Sequence, residues 1–305
     1  MYLHYCIIIV IKNFIISLIH VIISQGSDKV KTLIIPSNLK QAQNSNCDGI
    51  IIGLNKLSVN MPNYFKIEDI KKIENKEIFV CLNKNIHNKD LNILEQTLSE
   101  LNKYNIKGVI FYDVAISNLA KKLNLNYELV WNQEHMTNNY YTINFWQEQN
   151  VNYTWVSNDI TLREMQEIKE NTTSKLMVTL FGYLPMFVSL RKLIKNYLNT
   201  FDLNDNSKIN FMEKEDKIYP LIDNEEGTIV YTDFILNGLK EKILLEYDYI
   251  VLNSFMIDDE NFKKVLDIFN KVNKDNIDEL EKKLNNMFNN LKKGFFYEET
   301  IYKVK

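Results

Sequence analysis

The chain has 305 residues, 46% of them hydrophobic and 25% charged, with a net charge of −3 at pH 7. That length suits two ordinary domains or one large α/β barrel, and the composition excludes a disordered chain. The near-neutral balance excludes an overall basic footprint for nucleic acid and leaves room only for a local basic face.

The amino-terminal stretch CIIIVIKNFIISLIHVIIS, residues 6–24, is nearly all apolar and about long enough to span a bilayer. Lys12, Asn13 and His20 interrupt it, each costly at membrane depth. Three readings stand: a weak membrane anchor, a poor signal peptide lacking a positive n-region and an A-x-A-like site, or an extension with no role. Residues 1–27 are therefore set apart from the fold proper, 28–305. The expected location is the cytoplasm, with membrane anchoring through residues 6–24 as the alternative.

Beyond this extension, short apolar runs alternate with helical patterns. KTLIIPS (31–37) leads into NLKQAQNS, and CDGIIIGL into KIEDIKKIEN, a short amphipathic helix. EIFVCLN precedes DLNILEQTLSELNKYN, whose Leu91, Leu94, Leu98 and Leu101 mark one helical face. IKGVIFYD, YELVWNQ, YTWVSND and KLMVTLFGY follow as strands, separated by the helices AISNLAKKLN, TNNYYTINFWQEQN and TLREMQEIKENT. The last opens on Thr161 with Glu164 three residues on, a capping box. Continuously apolar strands between helices belong to a parallel sheet covered on both faces. Seven such units in sequence favour a (β/α)8 barrel over a doubly wound sheet.

After the seventh strand, which breaks at Gly182, the pattern changes. MFVSLRKLIKNYLNTF reads as one longer helix. Residues 207–234 read as an inserted antiparallel hairpin region with a turn at Asn224–Gly227, before the helix NGLKEKILLE and an eighth strand in EYDYIVLNSFMI. Two helices, within about 258–293, close the chain.

In such barrels the reactive residues sit at the carboxyl ends of the strands. Those ends carry Ser37, Asn55, Asn83, Asp113, Asn132 with Gln133, Asn158 with Asp159, Gly182, and Asn253 with Ser254. The catalytic candidates are Asp113, Gln133, His135 and Asp159; the substrate-binding candidates are Asn83, Asn138, Asn158, Gly182, Arg191 and Asn253. Bland roles compete: either aspartate can cap the helix it precedes, and His135 is one imidazole in an Asn-rich loop, next to Glu134. The three cysteines, Cys6, Cys47 and Cys81, are far apart and make no metal-ligand spacing. No P-loop, G-x-S-x-G or G-x-G-x-x-G occurs.

Taken in order, these pieces resemble the peptidase U32 family, collagenase-like proteins now associated largely with RNA hydroxylation and related oxygen-transfer chemistry. KTLIIPSNLKQAQ is similar to the family's opening "LLAPAGN" strand and helix, CDGIIIGL to "ADAVYIG", and Cys81-Leu82-Asn83 to "TLN". Gln133, Thr137 and Asn138 match the spaced residues of "STQxxxTN". VSNDITLREMQEI is similar to the "LSRELSLEEI" signature, with Ser157 retained, Asn158 in place of Arg and Asp159 in place of Glu. RKLI, YPLIDNEEGT and GFFYEETIYKVK resemble later pieces, so the likeness runs over residues 31–305.

In typical members the seventh strand ends in "HGALC", with further cysteines beyond, a set resembling iron–sulfur ligands. Here Phe181 stands at the His position, Pro185 at the first Cys and Lys192 at the second, while Gly182, Ser189 and Arg191 match. Neither Phe nor Pro binds iron, and Lys is a poor soft-metal ligand. The resemblance therefore implies a cluster-free barrel acting on or binding RNA or a small substrate, with no metal. RNA or a protein is the expected partner, and an RNA role predicts a basic face near Arg191, Lys192 and Lys195. The alternatives are a genuine peptidase or hydrolase of the U32 type, for which no protease constellation is visible, and a non-catalytic binding barrel.

Overall fold

In the computed structural model, residues 30–133 and 136–298 are described. The apolar stretch 6–24 lies outside them, and no helix among the described residues is long and apolar enough to cross a membrane. The strands are β1 (Lys31–Ile35), β2 (Gly49–Leu54), β3 (Tyr64–Phe65), β4 (Glu77–Leu82), β5 (Gly108–Phe111), β6 (Glu128–Trp131) and β7 (Tyr153–Trp155). They continue with β8 (Lys175–Ser189), β9 (Asn210–Lys214), β10 (Lys217–Asn224), β11 (Gly227–Asn237), β12 (Tyr249–Asn253) and β13 (Leu291–Lys292). The helices are α1 (Leu39–Asn44), α2 (Leu91–Leu101), α3 (Val114–Leu123), α4 (Tyr140–Glu148), α5 (Leu162–Glu170), α6 (Leu193–Thr200), α7 (Leu239–Leu245), α8 (Asp259–Lys271) and α9 (Ile277–Asn285).

Strands β1, β2, β4, β5, β6, β7, β8 and β12 pair in parallel in that order, and β12 returns to β1 with Lys31 opposite Tyr249. The ring is a closed (β/α)8 barrel, as the alternation of the sequence predicts. Most strands of the ring are buried on both faces, which is why they read as unbroken apolar runs. Alternate residues point inward: Leu33, Ile35, Ile51, Phe79, Cys81, Ile110, Val130, Met177, Tyr249 and Val251 form one inner core. The others, such as Ile34, Ile50, Ile52 and Val80, are fully buried under the outer helices.

Local chemistry starts the helices. Asn38, Asp113, Asn139 and Asp258 each accept a backbone N–H in the first turn of α1, α3, α4 and α8. At α5, Thr161 Oγ1 and the Glu164 carboxylate satisfy each other's backbone N–H groups. Each such cap is worth about 1 kcal/mol.

The short helix expected in KIEDIKKIEN is a 3-10 helix, Ile67–Lys72. Two expectations are corrected. The stretch from Met186 is not one long helix: β8 continues through Gly182 and Pro185 to Ser189, and α6 begins only at Leu193. Pairing with β11, which sets Val188 opposite Ile229 and Ser189 opposite Thr228, overrides the helical spacing there. Pro185, which has no N–H to donate, sits where the β8–β11 register shifts. Finally, α9 ends at Asn285, and the following chain forms β13, parallel to β11.

That last segment is pinned by a buried carboxylate. Glu241 on α7 is fully buried, pairs with Lys293 Nζ at 3.2 Å, and accepts from Tyr297 Oη at 2.6 Å. Lys293 also meets Glu281 at 3.0 Å. Phe296 is buried, and its carbonyl accepts from Leu162 N. Losing one member of a buried pair leaves its partner's charge poorly solvated. Glu241→Ala is therefore expected to cost about 3 kcal/mol in urea unfolding, whereas Glu281→Gln, nearer solvent, is expected to cost under about 1 kcal/mol.

Candidate functional site

A cavity of about 90 Å³ opens at the carboxyl ends of the barrel strands. Five asparagines reach it from different elements: Asn60 before β3, Asn83 after β4, Asn132 after β6, Asn158 after β7 and Asn253 at the end of β12. Ser157, Asp159, Thr179 and Tyr112 add oxygen atoms, while Met61, Cys81, Trp155, Leu184 and Pro185 supply the apolar lining. Among the described lining residues Asp159 is the one charged side chain, and none of them is a lysine, arginine or histidine.

Backbone partners fix which end of each amide is which. Asn132 Nδ2 donates to the Trp155 carbonyl at 3.0 Å, and Asn158 Nδ2 to the Thr179 carbonyl at 2.8 Å. Both nitrogens must therefore be donors, which leaves the Asn132 and Asn158 oxygens without another hydrogen bond among the described residues. Asn83 is the reverse: Oδ1 accepts from Val59 N at 2.8 Å, leaving Nδ2 to donate. Asn253 spends both ends, on the Tyr183 carbonyl and on Phe255 N. The wall thus offers two neutral acceptors and one neutral donor beside one carboxylate. Such a set suits the edge of a planar, hydrogen-bonding, uncharged ligand, and the described lining offers no cation to a phosphate or carboxylate.

Of the candidates read from the sequence, Asn83, Asn158, Asp159 and Asn253 come together here. Gly182 lies against this wall: with φ +111°, an added Cβ would fall 2.4 Å from the Asn253 carbonyl oxygen. Asp159 does not cap α5, a role held by Thr161; its own N–H donates to Ser157 Oγ. Asp113 is spent elsewhere, Oδ1 accepting from Ala115 N at 2.9 Å and Oδ2 from Ile86 N at 2.8 Å, and it does not line the cavity. Gln133 closes a turn through its main chain, its N–H and carbonyl both bonding the Thr137 hydroxyl. Asn138 is exposed, with Oδ1 accepting from Asn139 Nδ2. His135 and Glu134 lie outside the described residues.

Arg191, Lys192 and Lys195 are exposed on the lobe built from β8 beyond Gly182, α6 and the β9–β11 hairpins. Asp223 accepts from Lys195 N. The same lobe exposes Phe187, Leu190, Tyr197, Phe201, Phe211 and Ile218, so it is apolar at least as much as it is basic.

Residues outside the chosen set include Asn60, Tyr112 and Thr179 in the lining, with Asn132 and Ser157 beside them. Asn132 ends a strand, as the chosen residues do. Thr179 sits inside an apolar strand and shows its direction only by alternation with Met177. Asn60, at φ +62°, belongs to a loop with no periodicity to read.

Among the described residues the donor set does not fit an iron–sulfur cluster. Pro185 lines the cavity and Lys192 is exposed, and neither is a soft ligand. Among the described residues the cysteines are Cys47 and Cys81. Gly49 pairs with Glu77 and Gly53 with Cys81 in the β2–β4 ladder. Cys47 therefore lies about six positions, roughly 20 Å, below the level of Cys81. Those two thiols cannot share one cluster. No group of three or more His, Cys, Asp or Glu residues able to hold a metal ion occurs among the described residues.

The family model for peptidase family U32 matches residues 36–303. The tRNA hydroxylation protein P2 of Bacillus subtilis strain 168 is 24% identical over 282 residues, covering 83% of this chain and 91% of that protein. The tRNA hydroxylation protein P1 of the same strain is 25% identical over 174 residues, covering 54% of this chain but 41% of its own length. A solved U32 peptidase structure aligns at a TM-score of 0.49 and 11% identity, over 75% of this chain and 93% of that one. A match spanning nearly all of the chain beyond its apolar extension places it: the protein belongs to peptidase family U32.

Proposed function

We propose that this barrel binds RNA and takes an unstacked nucleobase into its amide-lined mouth, without an iron–sulfur cluster, as part of RNA modification. The observation that carries the reading is the wall itself. Asn132 and Asn158 keep acceptor ends, and Asn83 keeps a donor end, in a cavity whose described lining holds no cation. A nucleobase edge offers N–H and C=O groups on a flat apolar frame, and enzymes that work on a base take it out of the stack into such a pocket. Two relatives named for tRNA hydroxylation support RNA as the substrate class. Asp159, beside the polar wall, is the candidate acid–base group.

A peptidase is the lesser reading, because the described lining brings no imidazole to a hydroxyl or thiol. A non-catalytic RNA-binding barrel is the second. Nucleoside mass spectrometry of total tRNA from a strain lacking the chain, set beside binding of that tRNA by the purified protein, separates them. Loss of one modified nucleoside, restored by the gene, is the expected result. An unchanged profile with tRNA binding identifies a binder, and an unchanged profile without binding at about 10 μM overturns the RNA reading.

A further inference from the structure

The turn between β10 and β11, Asn224–Gly227, reaches back across the barrel mouth. Glu226 Oε1 accepts from Lys56 N at 2.9 Å, and Glu226 Oε2 meets Lys84 Nζ at 3.2 Å. Lys84 Nζ also donates to the Lys56 carbonyl at 2.9 Å, and Asn224 Nδ2 to Tyr64 Oη at 3.1 Å. With side chains 19% and 11% exposed, Lys84 and Glu226 form the one ion pair among the described residues in which both partners are shielded to that degree.

What this pair holds is the loop that carries Asn60 and Met61 into the cavity. Between Lys56 and Met61 the chain is stitched to β4: Lys84 N donates to the Leu57 carbonyl, Ser58 Oγ to the Cys81 carbonyl, and Val59 N to Asn83 Oδ1. Lys56 and Asn60 both sit at positive φ, 72° and 62°. Non-glycine residues hold that conformation at a cost and persist in it where neighbours over-determine it. Met61 in turn rests on Gly53, where a Cβ would come within 2.6 Å of Met61 Cγ. Removing the carboxylate would leave the Lys84 charge shielded and unpaired, and the strained loop without its outer anchor.

We propose that Glu226 is a positioning residue of the mouth: through Lys56 and Lys84 it seats the Asn60–Asn83 wall, so that the inserted hairpin controls access to the cavity and to the Cys81 thiol on its inner side. The functional weight of this control rests on the reading of the mouth as a ligand site, but its test needs no ligand. With Cys6→Ser and Cys47→Ser in the full chain, Cys81 is the single remaining thiol. Its alkylation by iodoacetamide at pH 8 can be followed by intact mass.

Glu226→Gln is expected to speed that alkylation at least tenfold, and Glu226→Asp to recover much of the protection. Glu281→Gln, a change at an ion pair outside the mouth, is expected to leave the rate unaltered and controls for global loosening. An unchanged rate in Glu226→Gln overturns the proposal, as does equal acceleration in Glu226→Gln and Glu281→Gln. Binding of tRNA by the unmodified chain is scored separately. Its failure removes the RNA reading, while the labelling rates still decide the role of Glu226.

Discussion

Gly182→Ala is expected to cost the fold roughly 2–5 kcal/mol, combining backbone strain with overpacking. The backbone there has φ +111°, outside the pocket of left-handed space that other residues visit. An added Cβ would also stand 2.4 Å from the Asn253 carbonyl oxygen and 2.8 Å from Asn253 Cβ. Relief requires β8 and β12 to part, and these strands close the ring next to the register shift between Val251 and Leu252. The damage would reach the site, because Asn253 anchors the Tyr183 carbonyl and Phe255 N. Urea unfolding followed by circular dichroism measures the loss. Gly294→Ala is the control: at φ +55° and with its nearest neighbour, Leu236 Cδ1, at 3.1 Å, it is expected to cost about 1 kcal/mol. A Gly182→Ala protein within 1 kcal/mol of the parent would show that the exit of β8 from the ring does not depend on glycine.

Under the proposed role in RNA modification, Asp159→Asn is expected to lower the modified nucleoside by about a hundredfold, the usual contribution of a positioned acid–base group. The measurement is the amount of the affected nucleoside in a deletion strain carrying the variant gene. Binding of tRNA should change less than threefold, since the amide preserves size and some hydrogen bonding. Asp113→Asn supplies the contrast. Its carboxylate is committed to Ala115 N and Ile86 N, so its loss should appear as about 1–2 kcal/mol of stability with modification retained. Equal nucleoside levels in parent and Asp159→Asn would remove this carboxylate from the chemistry. A modification defect in Asp113→Asn at full stability would restore the other one as a candidate.

The two aspartates look alike in the sequence, each at a strand end and just ahead of a helix. What separates them is the neighbour. Asp113 is the residue immediately before α3 and finds the free N–H groups of its first turn. At α5 a better-placed hydroxyl, Thr161, already fills that role, which leaves Asp159 to the cavity. The capping box could be read from the sequence, so this distinction was half legible there. That Ile86 N takes the second Asp113 oxygen was not, because this contact joins two loops of different units.

Periodicity is a local property, and it determined the order of the elements. Eight continuously apolar runs separated by amphipathic segments can bury both faces only in a covered parallel sheet. Membership in the family, carried by spaced residues over most of the chain, was equally written in the sequence. Tertiary structure decided what depends on distant partners. It set the pairing of β12 with β1 that closes the ring, and the run of β8 past Gly182 onto β11 where local spacing favours a helix. It also gathered asparagines from five separate connections around one mouth. An asparagine in a loop has the same local signature whether it faces solvent, like Asn138, or a cavity, like Asn60. Its surroundings come from strands far away in the chain.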